Sequence, residues 1–175
     1  MRYAAFLRAV NVGAKNRISM QSLKAALEKQ GLQQVQTYIQ SGTIAFECPE
    51  APLQTLRNTV EQTLVQAFGL QVTALVFTPA FIGQVLRQNP YPEEKAFVAL
   101  LAKEPAPEEA ELLRGLPGKG DECLVLGGAV YVCANGPYHK TVFSNAFLEK
   151  KLKTAATTRS IVSLKAFYTG FLQQE

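Results

Sequence analysis

The segments VQTYIQSGTIAFEC (residues 35–48) and ECLVLGGAVYVC (residues 122–133) decide the fold. In each, two short β-rich runs flank a glycine-bearing turn: Val35–Ile39 and Thr43–Cys48 around Ser41-Gly42, then Glu122–Leu126 and Ala129–Cys133 around Gly127-Gly128. Such runs predict antiparallel hairpins. In the first, alternation places Val35, Ile39, Ile44, Phe46 and Cys48 on one side and Gln36, Tyr38, Gln40, Thr43 and Ala45 on the other. The second is apolar on both faces, with Cys123, Val125, Val130 and Val132 opposed to Leu124, Leu126, Ala129 and Tyr131. Laid over one another, Gly42–Cys48 matches Gly127–Cys133 residue by residue.

Working outward, Tyr3–Arg8 reads as a strand and Asn11–Arg17 as a polar loop. Ser19 then reads as the N-cap of a helix that runs to Gln30 and stops at Gly31. After the first hairpin come a helix over Pro52–Ala67, a strand over Gln71–Phe77 and a helix opened by Thr78-Pro79. Asn89-Pro90-Tyr91-Pro92 breaks the chain, because paired prolines disfavour helix and strand alike. The pattern then restarts: strand Ala96–Ala102, helix Pro107–Gly115, the second hairpin, helix Lys140–Leu152, strand Ala155–Thr158 and a helix from Ser160. The order β-α-β-β-α-β-α occurs twice. This predicts an α+β fold of two tandem ferredoxin-like (α-β plait) βαββαβ units, residues 1–90 and 91–175, each with an extra C-terminal helix. A plait covers one sheet face with its own helices, so the second face of the second hairpin needs a cover from the sister plait or a partner subunit. The oligomeric state stays open at this level.

Bulk properties exclude several classes. The 175 residues are 47% apolar, with a mean hydropathy of +0.02, which suits a globular fold. No apolar run approaches the roughly 20 residues of a membrane helix, and the start reads as a strand, not a signal peptide. Three cysteines, Cys48, Cys123 and Cys133, are expected to be reduced thiols in a cytoplasm. The alternation sets Cys123 and Cys133 on opposite faces, which rules out a disulfide between them. One histidine and no Cys-x-x-Cys pair argue against a metal centre, and no cofactor motif is present. The net charge of +4 is concentrated in residues 1–29 and 139–165, the stretch between being net acidic. Solvated helix faces account for this, and so would one basic surface attracting an anion or nucleic acid.

Plait topology brings the loop after the first strand and the first hairpin turn to one end of the sheet. There Arg8, Asn11, Gly13 and Lys15 would meet Gln40, Ser41, Gly42 and Thr43, beside the free N–H groups that open the Ser19 helix. An anion site is chemically reasonable at that end. The loop has neither phosphate-loop nor dinucleotide-turn spacing, and the glycines equally serve turn geometry. No catalytic residue is assigned: Ser41 has no base nearby in sequence, His139 reads as a surface residue, and Glu108, Glu109 and Glu111 suit a helix start. The outward face of the first hairpin offers one aromatic, Tyr38, and no cation, a poor platform for stacking RNA bases.

The runs Phe6-Leu7-Arg8-Ala9-Val10-Asn11-Val12-Gly13, Met20-x-x-Leu23 and Val35-x-Thr37-Tyr38-Ile39-Gln40-Ser41-Gly42-Thr43, with Ala156-Thr157-Thr158-Arg159 near the end, resemble the bacterial domain-of-unknown-function family 1697. Ala9 and Ala14 stand where that family's pattern tends to have glycine, and Thr43 and Ser160 where it has asparagine. The resemblance implies a two-plait α+β fold and no established activity. The expected function is a cytoplasmic binding module holding a small anionic or polar ligand at Arg8, Asn11, Gly13, Lys15, Gln40, Ser41, Gly42 and Thr43. The alternative is an interaction protein whose basic termini engage nucleic acid or an acidic partner. An enzyme acting at the same polar cleft is a third reading.

Overall fold

The computed structural model describes residues 1–11 and 14–173. Chain order is β1 (Arg2–Leu7), α1 (Met20–Lys29), β2 (Gln33–Tyr38), β3 (Thr43–Glu47), α2 (Leu53–Phe68), β4 (Ala74–Phe77), α3 (Pro79–Arg87), β5 (Ala96–Leu101), α4 (Pro107–Arg114), β6 (Glu122–Leu126), β7 (Ala129–Cys133), α5 (Asn145–Leu152), β8 (Ala156–Ser160) and α6 (Ile161–Phe167). A π-helical turn over Tyr168–Leu172 continues α6. The protein is therefore α+β, with two four-stranded antiparallel sheets of order β2-β3-β1-β4 and β6-β7-β5-β8. Among the described residues no helix is long and apolar enough to cross a membrane.

The chain forms two compact units: Met1–Gly83 together with the segment from Phe167 onward, and Gln84–Ala166. The boundaries fall inside α3 and at the end of α6. In the first unit, Tyr3, Ala5 and Leu7 of β1 join Val35, Ile44, Phe46, Ala74 and Val76 on one sheet face. That face is buried under Leu23 and Leu27 of α1 and Leu56, Val60 and Leu64 of α2. Helix α1 starts where Ser19 Oγ accepts the N–H of Ser22 at 3.1 Å, the cap its sequence announces. Gly69, at φ 65°, ends α2 in the left-handed conformation that favours glycine.

The opposite face of this sheet carries Phe6, Tyr38 and Phe77, covered by aromatics from outside the sheet. Phe81 stacks on Phe77 with ring centres 4.9 Å apart. Phe167 meets Phe6 at 5.8 Å and Tyr38 at 5.7 Å, and Phe171 meets Tyr38 at 5.4 Å. Arg2 fastens this cover by donating to the Phe171 carbonyl, while it pairs with Glu47 at 3.1 Å. Tyr38 is thus occupied within its own unit.

In the second unit, Ala99, Leu101, Val130, Val132 and Ala156 pack under Leu113 of α4 and Leu148 and Leu152 of α5. On the other face Tyr131, fully buried, donates its hydroxyl to the Val85 carbonyl at 2.7 Å. The two hairpin faces read from sequence are those observed, and all three cysteines are free.

Hydrogen bonds outside the ladders correspond between the units. Leu7 N–H donates to Gly42 O and Leu101 N–H to Gly128 O, both at 2.9 Å. Arg8 N–H donates to Thr73 O and Ala102 N–H to Ala155 O, again at 2.9 Å. Cys48 N–H donates to Met1 O and Ala134 N–H to Lys95 O, at 3.0 Å. These matches set Gly42 against Gly128 and Cys48 against Ala134, which shifts the hairpin alignment read from sequence by one residue. The reason is the first turn. Tyr38 pairs with Thr43, so the loop is Ile39-Gln40-Ser41-Gly42 and not a two-residue turn, whereas Leu126 pairs with Ala129 across Gly127-Gly128 as expected.

Three further expectations change. Ile39 does not join the core side of the hairpin: it sits in the loop at φ 52° and is 52% exposed. The strand read from Gln71 begins only at Ala74. The helix read from Lys140 begins at Asn145, because Ser144 takes the cap by accepting the Phe147 N–H at 3.2 Å, and Tyr138–Lys140 form a separate 3-10 turn after Pro137.

Candidate functional site

The loop leaving β1 and the β2–β3 turn are fastened by one side chain. Asn11 Nδ2 donates to Gln40 O at 2.9 Å and to Ile18 O at 3.1 Å, and its Oδ1 accepts the Ile18 N–H at 2.8 Å. A single amide thereby ties the hairpin turn to the start of α1. Its backbone N–H donates to Asn16 O at 3.1 Å, and Asn16 Nδ2 donates to Ala9 O at 3.2 Å. Ala9, Asn11, Asn16 and Ile39 all hold positive φ, between 51° and 58°. Such conformations cost Ala9 and Ile39 roughly 1–2 kcal/mol each, and the two asparagines less; they persist where the surroundings over-determine them. Ala9, at φ 58°, occupies a left-handed backbone position that favours glycine.

The turn also needs glycine at position 42. Gly42 has φ 76°, and a Cβ on it would lie 2.6 Å from Val10 Cγ2 and 2.8 Å from Leu7 Cβ. It is the close approach of turn to loop that forbids a side chain.

The eight candidate residues fall into three groups. Asn11, Gln40, Ser41, Gly42 and Thr43 come together around this contact, but Gly42 and Thr43 are buried and Ser41 Oγ lies 3.3 Å from Thr43 Oγ1. Arg8 is half-buried, with its backbone N–H bonded to Thr73, and Lys15 is exposed, as is Gln40 of the first group. Gly13 lies outside the described residues.

Sequence reasoning missed two carboxylates. Glu61 Oε1 on α2 accepts the N–H of Ala74, the first residue of β4, at 2.9 Å and is braced by Arg57 Nε at 3.1 Å. Glu149 Oε1 on α5 accepts the N–H of Ala156, the first residue of β8, at 3.2 Å and is braced by Asn145 Nδ2 at 3.0 Å. In both helices the brace sits four residues before the glutamate, a spacing visible in the sequence. A depression of about 520 Å³ beside the first pair is lined by Arg57, Glu61, Gln62, Val65 and Gln71–Thr73.

Electrostatics give little to general acid–base chemistry. Burial pushes the Cys123 thiol up to about 11 and the phenol of Tyr131 up to about 12. Tyr91 rises to about 12 through burial, with Glu122 adding to it. Burial lowers Arg159 to about 10, which leaves it charged at neutral pH. It donates to Thr157 Oγ1 at 2.8 Å and Thr158 O at 2.9 Å. The Tyr138 hydroxyl is buried without a hydrogen bond, and burial raises its pKa against the nearby Thr158 hydroxyl and Asn145 backbone. None of these displacements brings a group into the neutral range a general base needs. Among the described residues there is no cluster of metal-ligating side chains.

Known proteins resemble the chain in fold and in family. The structure of the conserved bacterial protein SP0830 from Streptococcus pneumoniae is similar, with a TM-score of 0.75 and 19% sequence identity over 98% of each chain. At that identity the likeness speaks for the fold alone. Among curated proteins nothing matches. Residues 1–131 match the family described as "Protein of unknown function (DUF1697)". Three quarters of the chain lie inside that match, and the chain belongs to this family.

Proposed function

We propose that the protein is a cytoplasmic binding module for a small anionic or polar ligand, held between the β1–α1 loop and the β2–β3 turn. The observation that carries this reading is the Asn11 staple, which holds loop, turn and helix start in one strained arrangement. Arg8 and Lys15 supply positive charge, and the exposed Gln40 side chain a hydrogen-bonding amide. Ser41, Gly42 and Thr43 form the turn itself, and Gly13 belongs to the site by the sequence reading alone. The scaffold in this reading is a pair of ferredoxin-like plaits from one duplicated sequence, with copies 1–90 and 91–175. Its support is the shared strand order and the corresponding hydrogen bonds of the two units.

Thermal shift of the full chain with inorganic phosphate, nucleoside phosphates and di- and tricarboxylates tests the binding. A ligand at a hundredfold excess over its Kd stabilises by about 2.7 kcal/mol, or roughly 5–10 °C in Tm for a chain of this length. Arg8→Ala and Lys15→Ala are expected to lose that shift. No stabilisation by any of these anions, or an unchanged shift in both variants, overturns the reading.

A further inference from the structure

A strand at a sheet edge presents unpaired N–H and C=O groups, and it pairs with another chain unless something blunts it. The two sheets have edges at β2, β4, β6 and β8. Three are blunted, each visibly. Strand β2 is polar, shifts register between Gln33 and Gln36, and holds Gln34 at φ 48°. At β4 and β8 the carboxylates of Glu61 and Glu149 take the N–H of the first strand residue.

Strand β6 differs. It pairs in unbroken register with β7, its sequence is Glu122-Cys123-Leu124-Val125-Leu126, and every residue is half-buried or exposed, whereas Ala129–Val132 of β7 are buried. The two-residue turn makes Leu126 and Ala129 a hydrogen-bonded pair. By alternation Leu124 and Glu122 also bond inward to β7, and the N–H and C=O groups of Cys123 and Val125 point outward.

We propose that β6 pairs antiparallel with β6 of a second copy, about a twofold axis at Leu124, joining two four-stranded sheets into one. The strand is its own complement. In that register Cys123 lies opposite the second copy's Val125, so the outward donors and acceptors of each meet those of the other. Leu124 faces its own twofold mate, and Glu122 faces Leu126, so no like charges oppose. Exposed apolar groups flank the edge on both sides: Leu126, 37% exposed, and Leu112, 72% exposed on α4, the helix packed over β6. The contact is small, which makes the dimer a weak one.

Sedimentation equilibrium of the full chain is expected to show a monomer–dimer equilibrium whose dimer fraction grows as the concentration rises toward about 1 mM. Val125→Pro removes an outward donor and no bond to β7, and raises the dimer Kd about tenfold or more. Position 126 tests register by charge. Leu126→Glu opposes Glu122 of the second copy and weakens the dimer, while Leu126→Lys faces the same carboxylate and keeps or tightens it, a separation of about threefold to tenfold. Leu124→Cys places two thiols on a non-hydrogen-bonded pair, where Cα atoms are about 4.5 Å apart, within reach of a disulfide. Oxidation then gives a covalent dimer absent from the wild-type control. A chain that stays monomeric throughout, a dimer indifferent to Val125→Pro and to the charge at 126, or a Leu124→Cys chain that does not cross-link overturns the pairing.

Discussion

The segment that leaves β1 and the one that leaves β5 start alike and end differently. Leu7 and Leu101 make the same bond to a hairpin glycine, and Arg8 and Ala102 the same bond to the residue before the edge strand. From there the first unit takes Arg8–Ser19 to reach its helix and the second only Ala102–Ala106. The short path is closed by Glu109, whose carboxylate accepts the Ala106 N–H at 3.2 Å. The long one needs the Asn11 staple and three left-handed residues, Ala9, Asn11 and Asn16. Nothing in the shared framework demands that extra length, since the second unit manages without it. Strain kept where the framework does not require it is the physical ground for looking for function there.

The largest test of the comparison concerns how each unit covers its second sheet face. Phe167 is 1% exposed against Phe6 and Tyr38, and Phe167→Ala is expected to cost about 3–5 kcal/mol. Tyr131→Phe in the second unit loses only the bond to Val85 and costs about 1–2 kcal/mol. Urea denaturation of both variants measures the gap, and equal costs would erase the distinction.

The hairpin turns sharpen it. Gly42→Ala meets Val10 and Leu7 at positive φ, and its combined strain and overpacking cost about 2–4 kcal/mol. Gly127→Ala, at φ 55° with nothing within 4 Å of the added carbon, pays only backbone strain of about 1 kcal/mol. A Gly42→Ala chain as stable as Gly127→Ala would show that turn and loop are not in close contact. The smallest effect is a gain. Ala9→Gly relieves φ 58° and is expected to stabilise by about 0.5–1 kcal/mol after the added chain entropy is counted, read as a rise in Tm.

Local signals carried much of the architecture. Ser19 caps α1, Pro79 opens α3, and β6 and β7 begin and end where their alternation and glycines put them. Errors arose where two local signals competed. Ser41-Gly42 looks like a two-residue turn, but the close approach of Gly42 to Leu7 and Val10 sets a four-residue loop and turns Ile39 outward. The sequence reading opens a helix at Lys140, but the hydroxyl of Ser144 takes the cap. At the candidate site, topology alone joins the β1 loop to the hairpin turn, since both lie at one sheet end. The three bonds of Asn11 depend on side-chain geometry that no spacing encodes. The Glu61 and Glu149 contacts are of the same kind, because they need the phase of a helix relative to a strand edge. The aromatic cover of Tyr38 is further still from sequence, for its two halves stand more than a hundred residues apart.

That separation has a consequence for synthesis. The second unit, Gln84–Ala166, is one continuous stretch, so none of its strands waits for a later segment. The first is interrupted: its strands are finished by Phe77, yet Phe167 and Phe171 arrive only after the whole of the other unit has been made. At 5–20 residues per second the interval from Gly83 to Phe167 is roughly 4–17 s. For those seconds the nascent chain carries a nearly complete sheet with Phe6 and Tyr38 lacking their cover on one side, a surface that a holdase would recognise.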